Sequence, residues 1–232
     1  MEELEQQIRE WAYLAALPEK MAGFTLIREL ENTKTLFRIF TYANSDRHLF
    51  FSVIYDPATV DFLSKVTIGL NEYYDINFIA SDLPALEVIL CSKMETLLTS
   101  LNWFDPKRLG SIFHEKKILE WPYGKQLPEE IAGFQLYIRP SEPIKILNGS
   151  FVVIDYSDFA TESNLVICYN VFRDDFYGEM RLRRLPQMSG LFDAKTLPEL
   201  AEKLETNLVP VLENMRIQLN TEQKSMNEGE SE

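Results

Sequence analysis

Apolar residues follow two different spacings along the first hundred positions of the chain. Leu4, Ile8 and Trp11 recur three to four residues apart, which predicts an amphipathic helix over residues 3–16. A second helix is predicted after the helix-start signal Ser-Asp-Leu-Pro at 81–84, because apolar residues follow at helical spacing as far as residue 101. Between the helices, segments rich in aromatic and β-branched residues predict four antiparallel strands, at 24–30, 35–43, 48–56 and 63–70.

The same pattern occurs twice in the chain. Residues 8–24 read IREWAYLAALPEKMAGF and residues 118–134 read ILEWPYGKQLPEEIAGF, with ten identities in seventeen positions at an offset of 110. Farther along, matching residues recur at an offset of 114: Tyr55, Asp61 and Phe62 as Tyr169, Asp175 and Phe176. Because about 110 residues is the length of a small domain and not of a solenoid repeat, the sequence predicts a tandem duplication of one helix–four antiparallel strands–helix unit of the α+β class.

Three regions follow from this repeat: residues 1–105, residues 106–219 and an acidic tail at 220–232 that lacks apolar periodicity and is expected to be disordered. In the second copy the predicted strands and final helix lie at 134–139, 150–157, 164–172, 177–184 and 196–218. The central strands of both copies are apolar on both faces, and such strands need cover on both sides. We therefore expect the two copies to pack together with approximate two-fold symmetry, as an internal pseudo-dimer in a monomer or a weak homodimer.

Composition and charge narrow the class of partner. The chain has 232 residues, of which 46% are hydrophobic, and its formal net charge of −13 disfavours nucleic acid and anionic membranes as partners. No apolar run reaches the ~18–20 residues that span a bilayer. The first ten residues are polar and acidic, unlike a signal peptide. A cytoplasmic location and another protein as partner are therefore expected.

Motifs that would indicate catalysis are absent from the sequence. His48 and His114 are not spaced for metal binding, and the chain has neither a glycine-rich phosphate loop nor a nucleophile elbow. Cys91 and Cys168 lie in apolar stretches and are expected to be reduced core thiols. Four aspartates lack the spacing of a calcium loop and are expected in solvated loops: Asp155, Asp158, Asp174 and Asp175. No cofactor and no metal are therefore expected.

Two groups of residues are candidates for binding. The predicted strand 176–184 carries the main basic cluster of this acidic chain, and the candidates for anion or partner binding are Arg173, Tyr177, Arg181 and Arg183. Arginine suits carboxylate and phosphate groups, although the simpler explanation is an outer sheet face neutralised by nearby carboxylates. The residues shared by the two copies suggest a pocket between them, for which the candidates are Tyr55, Asp61, Tyr169 and Asp175.

Three functions remain open at this point. The first is a non-catalytic protein-interaction module of the adaptor, chaperone or immunity type, and the second is a small-ligand binder or enzyme with a pocket between the repeats. The third is a single-stranded nucleic-acid binder that uses the arginine strand. The duplicated plan resembles, in topology, the repeat arrangement of PUR-type single-stranded nucleic-acid binders. The acidity, small size and flanking helices are similar to those of bacterial secretion chaperones.

Overall fold

A computed structural model describes residues 2–28, 30–32, 36–146, 149–187 and 189–229, without the side chains of residues 2, 32 and 222–229. The protein has a mixed α+β fold with two antiparallel sheets, as the pattern of the sequence predicts. The chain divides into two compact units, residues 1–104 and residues 105–232. We call them the first unit and the second unit.

Seven strands in the described part of the first unit form one antiparallel sheet. They are β1 (Lys20–Met21), β2 (Phe24–Ile27), β3 (Glu31–Asn32), β4 (Phe37–Asn44), β5 (Leu49–Asp56), β6 (Asp61–Ile68) and β7 (Asn71–Tyr74). The order across the sheet is β1-β2-β4-β5-β6-β7, and β3 pairs with β4. The three longest strands agree with predicted segments, whereas β1, β3 and β7 have two to four residues, too few for alternation to be recognised.

The helices of the first unit are α1 (Glu2–Arg9), α2 (Ala12–Ala16) and α3 (Leu83–Asn102). The helix α3 packs against β5, and its buried residues recur every four positions: Leu86, Leu90, Met94 and Leu98. The prediction of one continuous helix over 3–16 was wrong, because the backbone at Trp11 is extended (φ −67°, ψ 109°). This break lets Trp11 bury its ring and donate its indole N–H to Glu87 Oε2 of α3 at 2.9 Å.

The second unit also contains seven strands within its described residues. They are β8 (Glu130–Ile131), β9 (Phe134–Ile138), β10 (Ile144–Lys145), β11 (Ser150–Asp158), β12 (Ser163–Asn170), β13 (Asp175–Leu182) and β14 (Leu185–Gln187). The order is β14-β13-β12-β11-β9-β8, and β10 pairs with β11. A bulge interrupts the β11–β12 register between Val152 and Ile154, as one interrupts the β4–β5 register between Arg38 and Phe40.

The described residues of the second unit form two α-helices, α4 (Ser111–Glu115) and α5 (Leu197–Gly229). The helix α5 covers one face of the sheet with leucines about one turn apart, and the last residue of this buried row is Leu219. The packed part of α5 thus ends near the predicted end at residue 218. The helix itself continues to Gly229, so residues 220–229 are helical where the sequence predicts disorder, and residues 230–232 of the predicted tail lie outside the described residues.

The two cysteines differ in their surroundings. Cys168 on β12 is buried, as expected, but Cys91 is exposed. The position of Cys91 on α3 corrects the sequence interpretation, since it lies one residue after Leu90 and so turns away from the buried row of that helix.

Candidate binding site

A tight turn joins β12 and β13, and four of the six candidate residues of the second unit lie in it or on the strand ends beside it: Tyr169, Arg173, Asp175 and Tyr177. The side-chain oxygen Oδ1 of Asn170 accepts hydrogen bonds from the backbone N–H groups of Phe172 (2.9 Å) and Arg173 (3.0 Å). Asp174 then adopts a left-handed conformation with φ 51°, which aspartate tolerates better than most residues. These local interactions fix the backbone from which Phe172 and Arg173 project.

Tyr169 and Asp174 lie on opposite sides of this turn and are joined directly. The hydroxyl of Tyr169 donates to Asp174 Oδ1 at 2.7 Å, and Nζ of Lys116, which directly follows α4, lies 2.7 Å from the same oxygen. The hydrogen bond from Lys116, and then the one from Tyr169, lower the pKa of Asp174. Burial, followed by the hydrogen bond to Asp174, raises the pKa of Tyr169 above its usual range.

Asp175 forms ion pairs with two further cationic side chains beside the turn. Its carboxylate lies 3.1 Å from Nε of Arg173 and 3.3 Å from Nζ of Lys195, which comes from the segment before α5. The guanidinium of Arg173 also stacks over the ring of Tyr177, 4.9 Å from its centroid. Lys116 donates a hydrogen bond to the backbone carbonyl of Lys195 at 3.1 Å, so the two residues are in direct contact. We call the seven residues Lys116, Tyr169, Arg173, Asp174, Asp175, Tyr177 and Lys195 the turn cluster.

The inner edge of the turn cluster lies on the sheet. Tyr177 faces Cys168 across the β12–β13 pair, and its hydroxyl donates to Ser150 Oγ at 3.1 Å. Burial raises the pKa of the Tyr177 hydroxyl to about 12 and that of the Cys168 thiol to about 12. Both groups therefore keep their protons at neutral pH.

Phe172 stands at the tip of the turn with 81% of its surface exposed. Its ring lies over Gly149, where an added Cβ would approach the ring to 2.4 Å. Glycine at this position leaves room for the aromatic ring beside the turn. The tip thus combines an exposed aromatic side chain with the guanidinium of Arg173 and an excess of one positive charge within the turn cluster.

The other candidate arginines lie farther along β13. Arg181 pairs with Glu179 at 3.0 Å on the outer face of the strand, and this favours the interpretation of a face neutralised by neighbouring carboxylates. Arg183 follows β13 in a left-handed turn with φ 49°, and its backbone N–H donates to Ser163 Oγ at 2.9 Å. The structure therefore brings Arg173 and Tyr177 together and places Arg181 and Arg183 outside the turn cluster.

The two candidates of the first unit lie at the ends of paired strands. Tyr55 is buried against Phe62, with ring centroids 5.1 Å apart. Asp61 lies opposite Asp56 at the turn between β5 and β6. The pocket that the sequence predicts from Tyr55, Asp61, Tyr169 and Asp175 stays a prediction.

Several residues of the turn cluster escape sequence analysis. Asp174 belongs to a group of aspartates interpreted as solvated, and nothing in the sequence connects Lys116 or Lys195 with a turn more than twenty residues from either. The prediction of a solvated loop is wrong for Asp155, which is fully buried on β11 and accepts a hydrogen bond from Ser157 Oγ at 2.7 Å. The signal that could have been used is position, since Asp155 lies inside an apolar strand.

Among the described residues, no group of three or more His, Cys, Asp or Glu side chains has an arrangement that could hold a metal ion. No helix in that part of the chain is long and apolar enough to cross a membrane.

Comparisons with protein-family models, with curated proteins and with solved structures each find no match to this chain.

Proposed function

We propose that this chain is a non-catalytic protein-interaction module that contacts its partner through the turn cluster and Phe172. The observation that carries the proposal is the 81% exposure of Phe172 at the tip of a turn whose backbone is fixed by hydrogen bonds. Large aromatic and arginine side chains dominate the energetics of protein interfaces, and a rigid presentation loses little entropy on binding. Phe172 and Arg173 offer both side-chain types at adjacent positions.

The protonation states in the turn cluster support a binding role over a catalytic one. A general acid or base works best with a pKa near the operating pH, and a nucleophile needs a lowered pKa or an adjacent base. Here the pKa values of Tyr169, Tyr177 and the neighbouring thiol of Cys168 are raised, and that of Asp174 is lowered. Each of these shifts moves the group away from neutrality.

The proposal includes the tandem duplication of an α+β unit, which backbone conformation supports independently of residue identity. Left-handed residues recur at offset 110 and then 114: Ala22 and Ala132, His48 and Glu162, Val60 and Asp174, Gly69 and Arg183. Three of these four pairs differ in side chain, so sequence preference for this conformation does not explain the recurrence. The recurrence therefore supports the proposed duplication.

Matching hydrogen bonds add to this support. The Tyr42 hydroxyl donates to the Pro18 carbonyl at 2.7 Å, and the Tyr156 hydroxyl donates to the Pro128 carbonyl at 2.7 Å. The strand order is also the same in the two sheets when the strands are followed along the chain. The packing of the copies against each other and a pocket between them stay predictions.

Affinity capture with the full chain tests the proposed binding surface. An extract of the cells that express the chain is passed over immobilised wild type, the variant Phe172→Ser and the control variant Leu185→Ser. Leu185 is a matched control because it is 69% exposed and belongs to the same unit. A protein recovered by the wild type and the control, but lost with Phe172→Ser, is the expected result.

Three outcomes would count against this function. Equal recovery by Phe172→Ser and by the wild type would remove Phe172 from the interface. Measured turnover of a small molecule would favour the enzyme alternative. Binding of a labelled oligonucleotide that weakens steeply as salt rises would favour the nucleic-acid alternative, because phosphate contacts depend strongly on salt.

A further inference from the structure

A cleft opens in the first unit between the two short N-terminal helices and the residues Arg28, Leu30 and Glu31. Its volume is about 740 Å³, and its lining residues are Arg9, Leu14, Ala15, Arg28, Leu30 and Glu31. Volumes of roughly 300–1,000 Å³ are typical of sites for small organic ligands. The lining combines apolar side chains with two cations and one carboxylate.

Arg28 is held in place by the loop that follows α2. Its guanidinium donates to the backbone carbonyls of Leu14 and Leu17 and pairs with Glu19. Since the carbonyls fix the position of the side chain, Arg28 forms a rigid cationic part of the wall. The aliphatic side chains of Leu14 and Leu30 lie in the same lining.

Arg9 supplies the second cation and has unused donors. Its Nε and Nη2 bond the carboxylate of Glu5, whereas its Nη1 makes no hydrogen bond to the described part of the chain. The Arg9 side chain is 54% exposed at the edge of the cleft. Glu31 is paired with Arg38, which reduces its repulsion of an entering anion.

The matching region of the second unit lacks this cleft chemistry. At offset 110, Leu14 corresponds to Gly124, Leu30 to Pro140 and Arg9 to Leu119, an apolar residue. A Cβ added to Gly124 would lie 2.8 Å from Cγ of Pro140, so the chain segments there are in direct contact. The first unit therefore differs from the second by Leu14 and Arg9 at the positions of Gly124 and Leu119.

We infer that this cleft binds a small organic anion, of the class of carboxylates with an aryl or branched aliphatic body. The guanidinium groups of Arg9 and Arg28 receive the carboxylate through charge-assisted hydrogen bonds. The apolar body of the ligand packs on the side chains of Leu14 and Leu30, which then contact hydrocarbon in place of water. This site is in the first unit and is independent of the turn cluster, so each proposal stands or falls separately.

Fluorescence titration of the full chain with anilinonaphthalene sulfonate, an aromatic organic anion, tests the inference. Phenylbutyrate is then added as a competing carboxylate. The variant Ala15→Phe fills the cleft from an exposed position, and Lys125→Phe places the same side chain at the matching exposed position of the second unit. The variant Arg9→Gln removes one cation from the cleft, and Lys20→Gln removes one from an exposed strand of the same unit.

The expected result is saturable binding by the wild type that phenylbutyrate reverses. Ala15→Phe and Arg9→Gln should each weaken binding about tenfold or more, which corresponds to a loss of ~1.4 kcal/mol or more. The two control variants should bind like the wild type. The absence of saturable binding to the wild type, or variants that bind as tightly as their controls, would overturn the inference. Circular dichroism verifies that each variant is folded.

Discussion

The turn between β5 and β6 and the turn between β12 and β13 have similar backbone conformations and different side chains. Val60 in the first turn and Asp174 in the second both adopt a left-handed conformation, with φ 64° and φ 51°. Asp174 joins Tyr169 and Lys116, whereas Val60 is an exposed apolar residue. The turn backbone thus persists without the ionic contacts, and the contacts are a separate property of the second unit.

A second pair of positions leads to the same conclusion. The carbonyl of Ala22 accepts a hydrogen bond from Asn102 Nδ2 at 3.0 Å, and that of Ala132 accepts one from Arg216 Nε at 2.7 Å. Amide and guanidinium groups satisfy the same backbone acceptor. Arg216 in addition pairs with Asp158 at 2.9 Å. Again, the backbone requirement is common to both units and the added charge pair belongs to the second.

The greatest loss of stability is expected from a substitution at Gly178, which lies in the core of the second unit. A Cβ added there would lie 2.8 Å from Cδ2 of Phe192 and 3.0 Å from its Cβ. Gly178→Ala should therefore overpack the core and destabilise the protein by about 1–3 kcal/mol. Thermal melting of the full chain measures this loss.

Gly110→Ala is the matched control, because no atom lies within 4 Å of the Cβ it adds. It should leave the melting temperature nearly unchanged. A melting temperature equally unaffected by Gly178→Ala would show that Phe192 does not pack as described.

The next effect concerns the turn itself. Asp174→Val places a β-branched residue in a left-handed conformation, at a cost of about 1–2 kcal/mol. It also removes the acceptor of the Tyr169 hydroxyl, a hydrogen bond worth ~1 kcal/mol. Urea unfolding should show a clear loss of stability.

The matched change in the first unit has the opposite sign. Val60→Asn replaces a strained residue with one that tolerates the left-handed region, and should raise the free energy of unfolding by about 1 kcal/mol. A destabilising Val60→Asn, or a neutral Asp174→Val, would contradict the claim that the two turns share one backbone.

Ser64 in the first unit stands where Gly178 stands in the second, and its substitution should have a smaller effect. Its hydroxyl is fully buried and has no hydrogen-bond partner in the described part of the chain. Removing an unpaired buried hydroxyl should stabilise the protein by about 1 kcal/mol, so Ser64→Ala should raise the melting temperature. A lower melting temperature would indicate that the hydroxyl is satisfied.

The smallest effect is a pH dependence of the protein's stability, which arises from Asp158 in the second unit. Hydrogen bonds from Thr161 and Arg216 outweigh burial and lower the pKa of Asp158. A lowered pKa stabilises the folded state above the usual pKa of a carboxyl group, and this contribution is lost as the pH falls through the lowered value. Asp158→Asn should therefore destabilise the protein more at about pH 7 than at about pH 3. Urea unfolding at the two pH values measures this difference, and an equal loss at both would contradict it.

The long strands and the helix α3 could be predicted because their patterns extend over many residues. The strand predicted at 48–56 is found at Leu49–Asp56, and its aromatic and β-branched residues are those that favour a buried strand. The break at Trp11 could not be predicted, because the hydrogen bond that accompanies it joins Trp11 to Glu87, which is distant in sequence. Local periodicity carries no information about such contacts.

Some residues of the candidate site could likewise be predicted from local sequence, and others could not. Arg173 and Tyr177 are near neighbours in sequence, so the basic segment that contains them was enough to suggest them. Asp175 was suggested by its recurrence at an offset of 114 from Asp61. Lys116 and Lys195 reach the turn from α4 and from the segment before α5, and only the fold brings them there. Side chains supplied by remote elements need the tertiary structure to be recognised.

The most direct test of the claim that the second turn is the binding surface is photo-cross-linking from both turns. A photoreactive amino acid replaces Phe172 in one variant of the full chain and Ala58 in another. Ala58 is the matching exposed position at offset 114. If the second turn is the binding surface, position 172 should cross-link to one partner protein and position 58 to none. Equal cross-linking from both positions, or cross-links from position 58 alone, would contradict it.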